Sequence, residues 1–188
     1  RLIAGRSVEQ SFGEHRRRIY LFGAGHVGRA LVLALAPLPF DVRWIDPRPE
    51  AFPRAVPQNV SLHQIEEPVR ILANAPAGSI ALVMTHSHAL DLAIVDAALR
   101  CPAIAHTGLI GSLTKRARFE KRLREAGVAA SRIEALICPI GIPGIKSKEP
   151  AMIATATAAQ ILVLDEALRL AIPADAPHHS TQRIGGSR

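Results

Sequence analysis

Residues 18–31 constrain the fold of this chain more than any other part of the sequence. An apolar run rich in β-branched and aromatic residues breaks into Gly-x-Gly-x-x-Gly at Gly23, Gly25 and Gly28, and apolar residues at helical spacing follow. This order predicts a strand, a glycine turn and a helix. In such a motif the first glycine permits the tight turn, the second lets the backbone approach a pyrophosphate, and the third lets the helix lie close to the strand. The free N–H groups at the helix start then face the anion.

An acidic residue follows the next predicted strand, residues 42–45, at the position expected in a nucleotide site. Asp46 lies close to the spacing of about twenty residues at which a carboxylate meets ribose hydroxyls. Arg48, two positions further on, offers the alternative of binding a ribose 2′-phosphate. The residues therefore leave both NAD and NADP open. They also leave open a fold of this kind that binds no dinucleotide, with Asp46 as a helix cap.

Apolar runs alternate with helical patterns along the rest of the chain. Strands are predicted at residues 60–62, 79–85, 103–106 and 135–138, with helices between them and a long alanine-rich helix from Pro150 to about Leu170. The continuous apolar run at 79–85 is typical of a parallel strand buried on both faces. Strands that alternate with helices imply right-handed crossovers. The predicted fold class is α/β, a doubly wound, mainly parallel sheet with helices on both faces.

Length and composition fit one domain in a reducing compartment. A chain of 188 residues is too short for two domains of ordinary size. We interpret residues 1–17 as an N-terminal leading segment or linker remnant, 18–171 as the domain and 172–188 as a disordered tail. No uninterrupted apolar stretch reaches membrane-spanning length, and Cys101 and Cys138 make no disulfide framework. We therefore expect a cytoplasmic protein with no membrane partner.

The formal net charge of +7 is concentrated in the run at residues 115–124. Phe119 and Leu123 fall one helical turn apart there, and Glu120 and Glu125 are interspersed among the cations, which indicates an amphipathic helix with a solvated basic face. No recognised nucleic-acid fold or aromatic platform accompanies this run. We therefore expect no nucleic-acid partner, while a small ligand that carries phosphate remains compatible with the charge.

Several polar clusters follow predicted strands, at the edge where the ligand crevice of a doubly wound sheet lies. His86 and His88, together with Asp91, could form a metal site, but a chain that bends into a helix there would turn the two rings apart, so no metal is predicted. Hydrogen bonding to the structure or to a ligand is the preferred role for these histidines. His106 either orients the crevice or caps a strand end.

Hydride transfer is the enzymatic alternative for such a crevice. Dehydrogenases usually add a second domain or a sizeable insertion for the substrate, whereas almost the whole of this chain forms the sheet and its helices. Neither cysteine lies in the pattern of an activated nucleophile, and we interpret both as small buried residues. The sequence therefore favours ligand binding over catalysis and identifies no catalytic residue.

Four ordered motifs resemble the C-terminal, Rossmann-type domain of the xanthine dehydrogenase accessory proteins, the XdhC/CoxI family. They are FGAGHVG at residues 22–28, THSHALD at 85–91, GLIGS at 108–112 and PIGIPGIKSKEP at 139–150. The resemblance extends from about Ile19 to Leu164, and the basic helix that follows the third motif also fits. Full-length members carry roughly a hundred further residues before this domain. The resemblance therefore implies that this chain is a fragment, or a variant that relies on a separate partner.

The resemblance implies a role in maturing molybdenum hydroxylases. Such proteins bind the molybdenum cofactor (molybdopterin), protect it while a cysteine desulfurase partner installs its sulfido ligand, and deliver it to the apo-subunit of xanthine dehydrogenase. A homodimer also remains open. The alternatives are an NAD(P)-dependent oxidoreductase and a non-catalytic interaction module. The predicted cofactor-binding residues are Gly23, Ala24, Gly25, His26, Val27, Gly28, Asp46, Arg48, Thr85, His86, His88, Gly111 and Ser112.

Overall fold

A computed structural model describes residues 16–171 of the chain. Almost all of the predicted leading segment 1–17 and the whole of the predicted tail 172–188 lie outside these residues. The strands are β1 (Arg17–Phe22), β2 (Phe40–Ile45), β3 (Val60–His63), β4 (Ser79–Val83) and β5 (Ile104–Leu109). The α-helices are α1 (His26–Leu35), α2 (His88–Arg100), α3 (Leu113–Glu125), α4 (Ala130–Glu134) and α5 (Pro150–Leu170). Short 3₁₀ helices, Pro49–Ala51 and Pro68–Asn74, follow β2 and β3.

The five strands form one parallel sheet in the order β3-β2-β1-β4-β5. β1 lies at the centre of the sheet, which suits its apolar residues Ile19 to Phe22, and these residues are almost fully buried on both faces. The chain moves outward from β1 to β3, returns to the other side of β1 as β4, and moves outward again to β5. The carboxyl ends of β1 and β4 therefore form the topological switch point at which such sheets bind ligands. The predicted doubly wound, Rossmann-type fold is confirmed.

Each face of the sheet has its own hydrophobic core. On one face α1 and α5 cover Leu21, Trp44 and Leu82. On the other, α2, α3 and α4 cover Phe22 and Val83. Burial on both faces explains why the strands are nearly continuous apolar runs.

α5 is, within residues 16–171, the one helix that is long and apolar enough to cross a membrane by length and composition alone. In this fold it packs along α1 and buries a stripe that includes Ala154, Ala158 and Ile161. Its Asp165 carboxylate forms ion pairs with Arg17 at the start of β1 and with Arg169. The helix is thus an outer layer of the domain, as expected from an apolar helix that also carries a buried, paired carboxylate.

Several predicted strands differ from the structure in their bounds, and one of them does not form. The strand predicted at 103–106 continues to Leu109, because β4 and Ile137 hydrogen-bond to its second half. The strand predicted at 135–138 is wrong: only Ile137 forms an isolated bridge, with Gly108, while Ala135 closes α4. The strand predicted at 79–85 ends at Val83, because the chain turns at Thr85 to begin the approach to α2.

Candidate functional site

The glycine turn follows β1 at the switch point. Gly23 adopts φ +108°, and a Cβ on it would lie 2.3 Å from the Met84 carbonyl oxygen. A Cβ on Gly28 would lie 2.2 Å from the Gly23 carbonyl oxygen. Gly25 differs, since no described atom lies within 4 Å of the position a Cβ would take. The first and third glycines are therefore required by packing, whereas the second leaves open space beside the turn.

The start of α1 faces that open space. Gly25 is the N-cap residue, and the N–H groups of the first turn have no side-chain acceptor within residues 16–171. His26 and Arg29 are exposed in the same turn. A cavity of about 280 Å³ lies here, lined by Ala24, Gly25, His26, Arg29, Arg48, Glu50 and Ala51. Free N–H groups and cationic side chains at a helix start favour an anion.

Not every residue of the predicted motif lines this cavity. Gly23 and Gly28 are buried beneath the turn. Val27 is partly buried and packs against the core between the sheet and α5. These three residues shape the turn, whereas Ala24, Gly25 and His26 reach the cavity.

Asp46 lies behind the turn, with its side chain only 1% exposed. The Ala24 N–H donates to its Oδ2 at 2.8 Å, and Arg48 donates to both oxygens through its backbone N–H and guanidinium, each at 3.0 Å. Burial raises the pKa of Asp46, but the hydrogen bonds from Arg48 and Ala24 outweigh burial and hold the pKa below its usual range. Hydrogen bonds from within the chain therefore occupy the oxygens of the ionised carboxylate. The Arg48 side chain, 40% exposed, lies between this carboxylate and the solvent.

Trp44 supports the turn from within the sheet. Its indole N–H donates to the Gly23 carbonyl oxygen at 3.0 Å, and its ring meets Phe52 edge-on with 5.4 Å between centroids. The sequence predicts a buried strand here but not this bond.

The loop after β4 is organised by a buried ion pair. The Asp91 side chain is 0% exposed, and Lys115 from α3 donates to its Oδ2 at 2.6 Å and to the Ile110 carbonyl at 3.0 Å. The Thr85 hydroxyl and N–H donate to Asp91 Oδ1 at 2.7 and 3.0 Å. Ser87 caps α2 by accepting from the Leu90 N–H. The ion pair therefore ties the loop after β4 to the loop after β5.

This network determines what the histidines of the loop can do. Because Asp91 is occupied by Lys115, its carboxylate is not available to complete a metal site with His86 and His88, which are exposed. Residues 16–171 contain no group of three or more potential metal-ligating side chains. His86 and His88 remain free to face a ligand or a partner at the rim of the crevice.

Sequence reasoning missed Arg29, which lines the cavity at the start of α1, and Lys115, which lies within a run of solvated cations. A Cβ on Gly111 would lie 2.6 Å from Lys115 Cδ, so the glycine makes room for the lysine stem to fold back towards Asp91. In the sequence, the only local signal for this inward-folded lysine is Gly111, one turn before Lys115, and that signal is weak. Ser112 caps α3 by accepting from the Lys115 N–H. Gly111 and Ser112 are thus structural as well as rim residues.

A second cavity, of about 430 Å³, opens between the loop after β5 and the segment 139–148. Its walls are mainly apolar and include five isoleucine side chains, and exposed Lys146 and Lys148 lie at its edge. The segment is held on α5, since the Gly141 N–H donates to Gln160 Oε1 at 2.8 Å and the Ile142 N–H to the Ala156 carbonyl at 3.2 Å. The cleft combines an apolar interior with a cationic rim. The residues that line it are Ile110, Gly111, Ser112, Pro139, Ile140, Gly141, Ile142, Ile145, Lys146, Ser147, Lys148, Ile153 and Ala156.

His106 and Cys138 lie away from this chemistry. His106 is inside β5, opposite Ile80, and not at the strand end. Burial and then the charges of Arg17 and Arg132 lower its pKa. Cys138 is buried, and burial raises the pKa of its thiol in spite of the neighbouring Lys115. Neither group has the setting of a crevice acid, base or nucleophile.

The fold and the site together define a Rossmann-type domain with a glycine turn at the switch point of its sheet. Comparison with known families is more specific. The XdhC Rossmann domain model matches residues 19–161, and the chain belongs to that family.

Two individual proteins are similar to this chain over most of its length. The chain is 35% identical over 154 residues to YqeB of Escherichia coli strain K12, an uncharacterised protein, covering 78% of this chain and 27% of YqeB. A crystal structure described as a xanthine dehydrogenase from Bacillus halodurans superposes with a TM-score of 0.68 at 23% identity, covering 86% of this chain and 45% of the other. The second match shows the shared fold. This chain therefore spans about a quarter of one relative (27%) and under half of the other (45%).

Proposed function

We propose that this chain is a cofactor-holding domain in the maturation of a molybdenum hydroxylase. The observation that carries the proposal is the open, cation-flanked start of α1 at Gly25, in a family whose name links it to xanthine dehydrogenase. The proposed ligand is the molybdenum cofactor, which the domain would protect and deliver. The proposed partners are the xanthine dehydrogenase apo-subunit and a cysteine desulfurase, in the cytoplasm, and a homodimer is a further proposal.

The residues present fit the two chemical halves of such a cofactor. Its phosphate would take the N–H groups of the first turn of α1, with His26, Arg29 and Arg48 supplying positive charge. Its flat ring system would take the apolar cleft beside Ile140, with Lys146 and Lys148 at the rim. The bound cofactor would supply the metal chemistry of the target enzyme. The chain's own residues bind, orient and shield.

A dinucleotide is the second candidate ligand, and one observation favours NADP over NAD. Asp46 already accepts hydrogen bonds from Ala24 and Arg48 and is nearly inaccessible, so it is poorly placed to read a ribose diol. Arg48 presents an exposed guanidinium beside the turn, which suits a 2′-phosphate. An NADP-dependent oxidoreductase is therefore the enzymatic alternative, and an interaction module that binds no cofactor is the third.

Calorimetric titration of the full chain with molybdopterin, NADH and NADPH separates these functions. We expect molybdopterin to bind the natural chain, and we expect Gly25→Val to weaken that binding at least tenfold. Because Gly25 has open space around it, the same substitution should change the free energy of unfolding by no more than about 1 kcal/mol. Ala73→Val, at an exposed site in the 3₁₀ helix before β4, is the matched control and should bind normally. Tight NADPH binding with substrate-dependent turnover, and none of molybdopterin, would overturn the proposal.

A further inference from the structure

A long groove runs between α2 and α3, on the face of the sheet opposite α1 and α5. It consists of two adjoining concavities of about 600 and 490 Å³ that share Leu92 and Arg122. Phe119 and Leu123, both almost fully buried, form its floor, and exposed Ala93 contributes a small side chain to its wall. The groove has the apolar floor and helical walls that accommodate a further amphipathic helix.

The charges on α3 are compensated unevenly along this groove. Four of its six cations have carboxylate partners: Lys115 with Asp91, Arg116 and Arg124 with Glu120, and Lys121 with Glu125. Arg118 and Arg122 are exposed and have no carboxylate within ion-pair distance among residues 16–171. Both line the groove, and they lie one helical turn apart on the same side of α3. The uncompensated positive charge is therefore located at the groove rim.

We propose that this groove binds an acidic amphipathic helix of a partner protein. Apolar side chains of that helix would contact Leu92, Phe119 and Leu123, and carboxylates one turn apart would pair with Arg118 and Arg122. The groove begins at His88, at the rim of the crevice. A docked helix would therefore end beside the candidate cofactor site.

Other occupants fit the charges less well. Residues 1–15 carry Arg1 and Arg6 against Glu9 and Glu14, and residues 172–188 carry Arg183 and Arg188 against Asp175, so neither end of the chain is acidic. A second copy of a chain with net charge +7 would bring like charges together. The apolar floor favours a protein helix over a nucleic-acid backbone.

The test uses the full chain and two synthetic helical peptides that differ only in charge. Both carry leucines on one face, and one carries glutamates where the other carries lysines beside that face. We expect the acidic peptide to shift the NMR signals of α2 and α3 and to bind more weakly as salt rises. Arg122→Glu should weaken it at least tenfold, whereas Arg54→Glu, an exposed arginine outside the groove, makes the same charge change and should not.

Two further variants test the groove itself. The double variant Arg118→Glu/Arg122→Glu should bind the lysine peptide in preference to the acidic one. Ala93→Trp, which fills the groove from an exposed position, should bind neither peptide. Equal binding of the two peptides by the natural chain would overturn the proposal. So would displacement of the acidic peptide by single-stranded DNA, or a groove variant that converts a dimer to a monomer in sedimentation. The test needs no cofactor, so its outcome is independent of the proposed function.

Discussion

At the scale of single residues, the three glycines of the turn have different tasks, and alanine should separate them. Gly23→Ala and Gly28→Ala place a Cβ within 2.3 Å of backbone carbonyl oxygens, so we expect each to lose about 3 kcal/mol or more of the free energy of unfolding. Gly25→Ala meets open space and should lose about 1 kcal/mol or less, as a changed N-cap. Urea denaturation measures all three. Equal losses would contradict the geometry.

The site is only partly predictable at this scale. The spacing after the turn locates Asp46 at a strand end, because parallel strands bring their carboxyl ends together. The partners of Asp46 depend on how the turn folds over the sheet, and no local pattern encodes the bond from the Ala24 N–H. The buried ion pair of Lys115 is even harder to predict from the sequence. The residues beside Lys115 carry the same charge, and only its contact with Asp91, distant along the chain, distinguishes it from them.

At the scale of elements, the ion pair of Lys115 and Asp91 connects α3 to the first turn of α2. Lys115→Met leaves a fully buried carboxylate without its cation, so we expect a loss of about 3–5 kcal/mol in the free energy of unfolding. Adding Asp91→Asn should recover a large part of that loss, which a double-mutant cycle measures.

The control for this cycle is Lys121→Met, since Lys121 and Glu125 form an exposed pair 3.9 Å apart on the same helix. Its loss should stay below about 0.5 kcal/mol. Additive losses for Lys115→Met and Asp91→Asn would show that the two loops are not coupled.

The long helices are predicted more accurately than the strand ends, for a physical reason, whereas the short α4 is not predicted at all. α5 begins at Pro150 as predicted, because proline suits the first turn of a helix and the apolar spacing continues for many turns. β5 extends through Thr107 and Gly108, which have little strand signal of their own, because β4 on one side and Ile137 on the other supply hydrogen bonds. Residues 135–138 are apolar enough for a strand, yet Ala135 and Leu136 complete the end of α4.

At the scale of the whole molecule, Asp165 connects α5 to β1. Burial raises its pKa, but hydrogen bonds and charges from Arg17 and Arg169 outweigh burial and lower the pKa overall. A carboxylate with a lowered pKa stabilises the fold above its unfolded pKa of about 3.9, and that contribution is lost as the pH falls through the folded value.

Asp165→Asn should therefore destabilise the chain by about 3 kcal/mol at pH 7, and the difference from the natural chain should shrink below about pH 4. Urea denaturation between pH 3 and 7 checks both statements. Asp96→Asn, which removes an exposed pair with Arg100, is the control and should change stability little at any pH. A difference that stays constant with pH would exclude Asp165 as the titrating group.

The packing of α5 on α1 has a consequence for synthesis. Arg17 and Asp165, which pair in the finished fold, are separated by 148 positions along the chain. A ribosome makes β1 and α1 long before α5, so Leu31 and Leu35, which share a core with Ile161, lack part of their cover until the final helix leaves the exit tunnel. The nascent domain must therefore keep an apolar helix face soluble until translation of the fold is nearly complete.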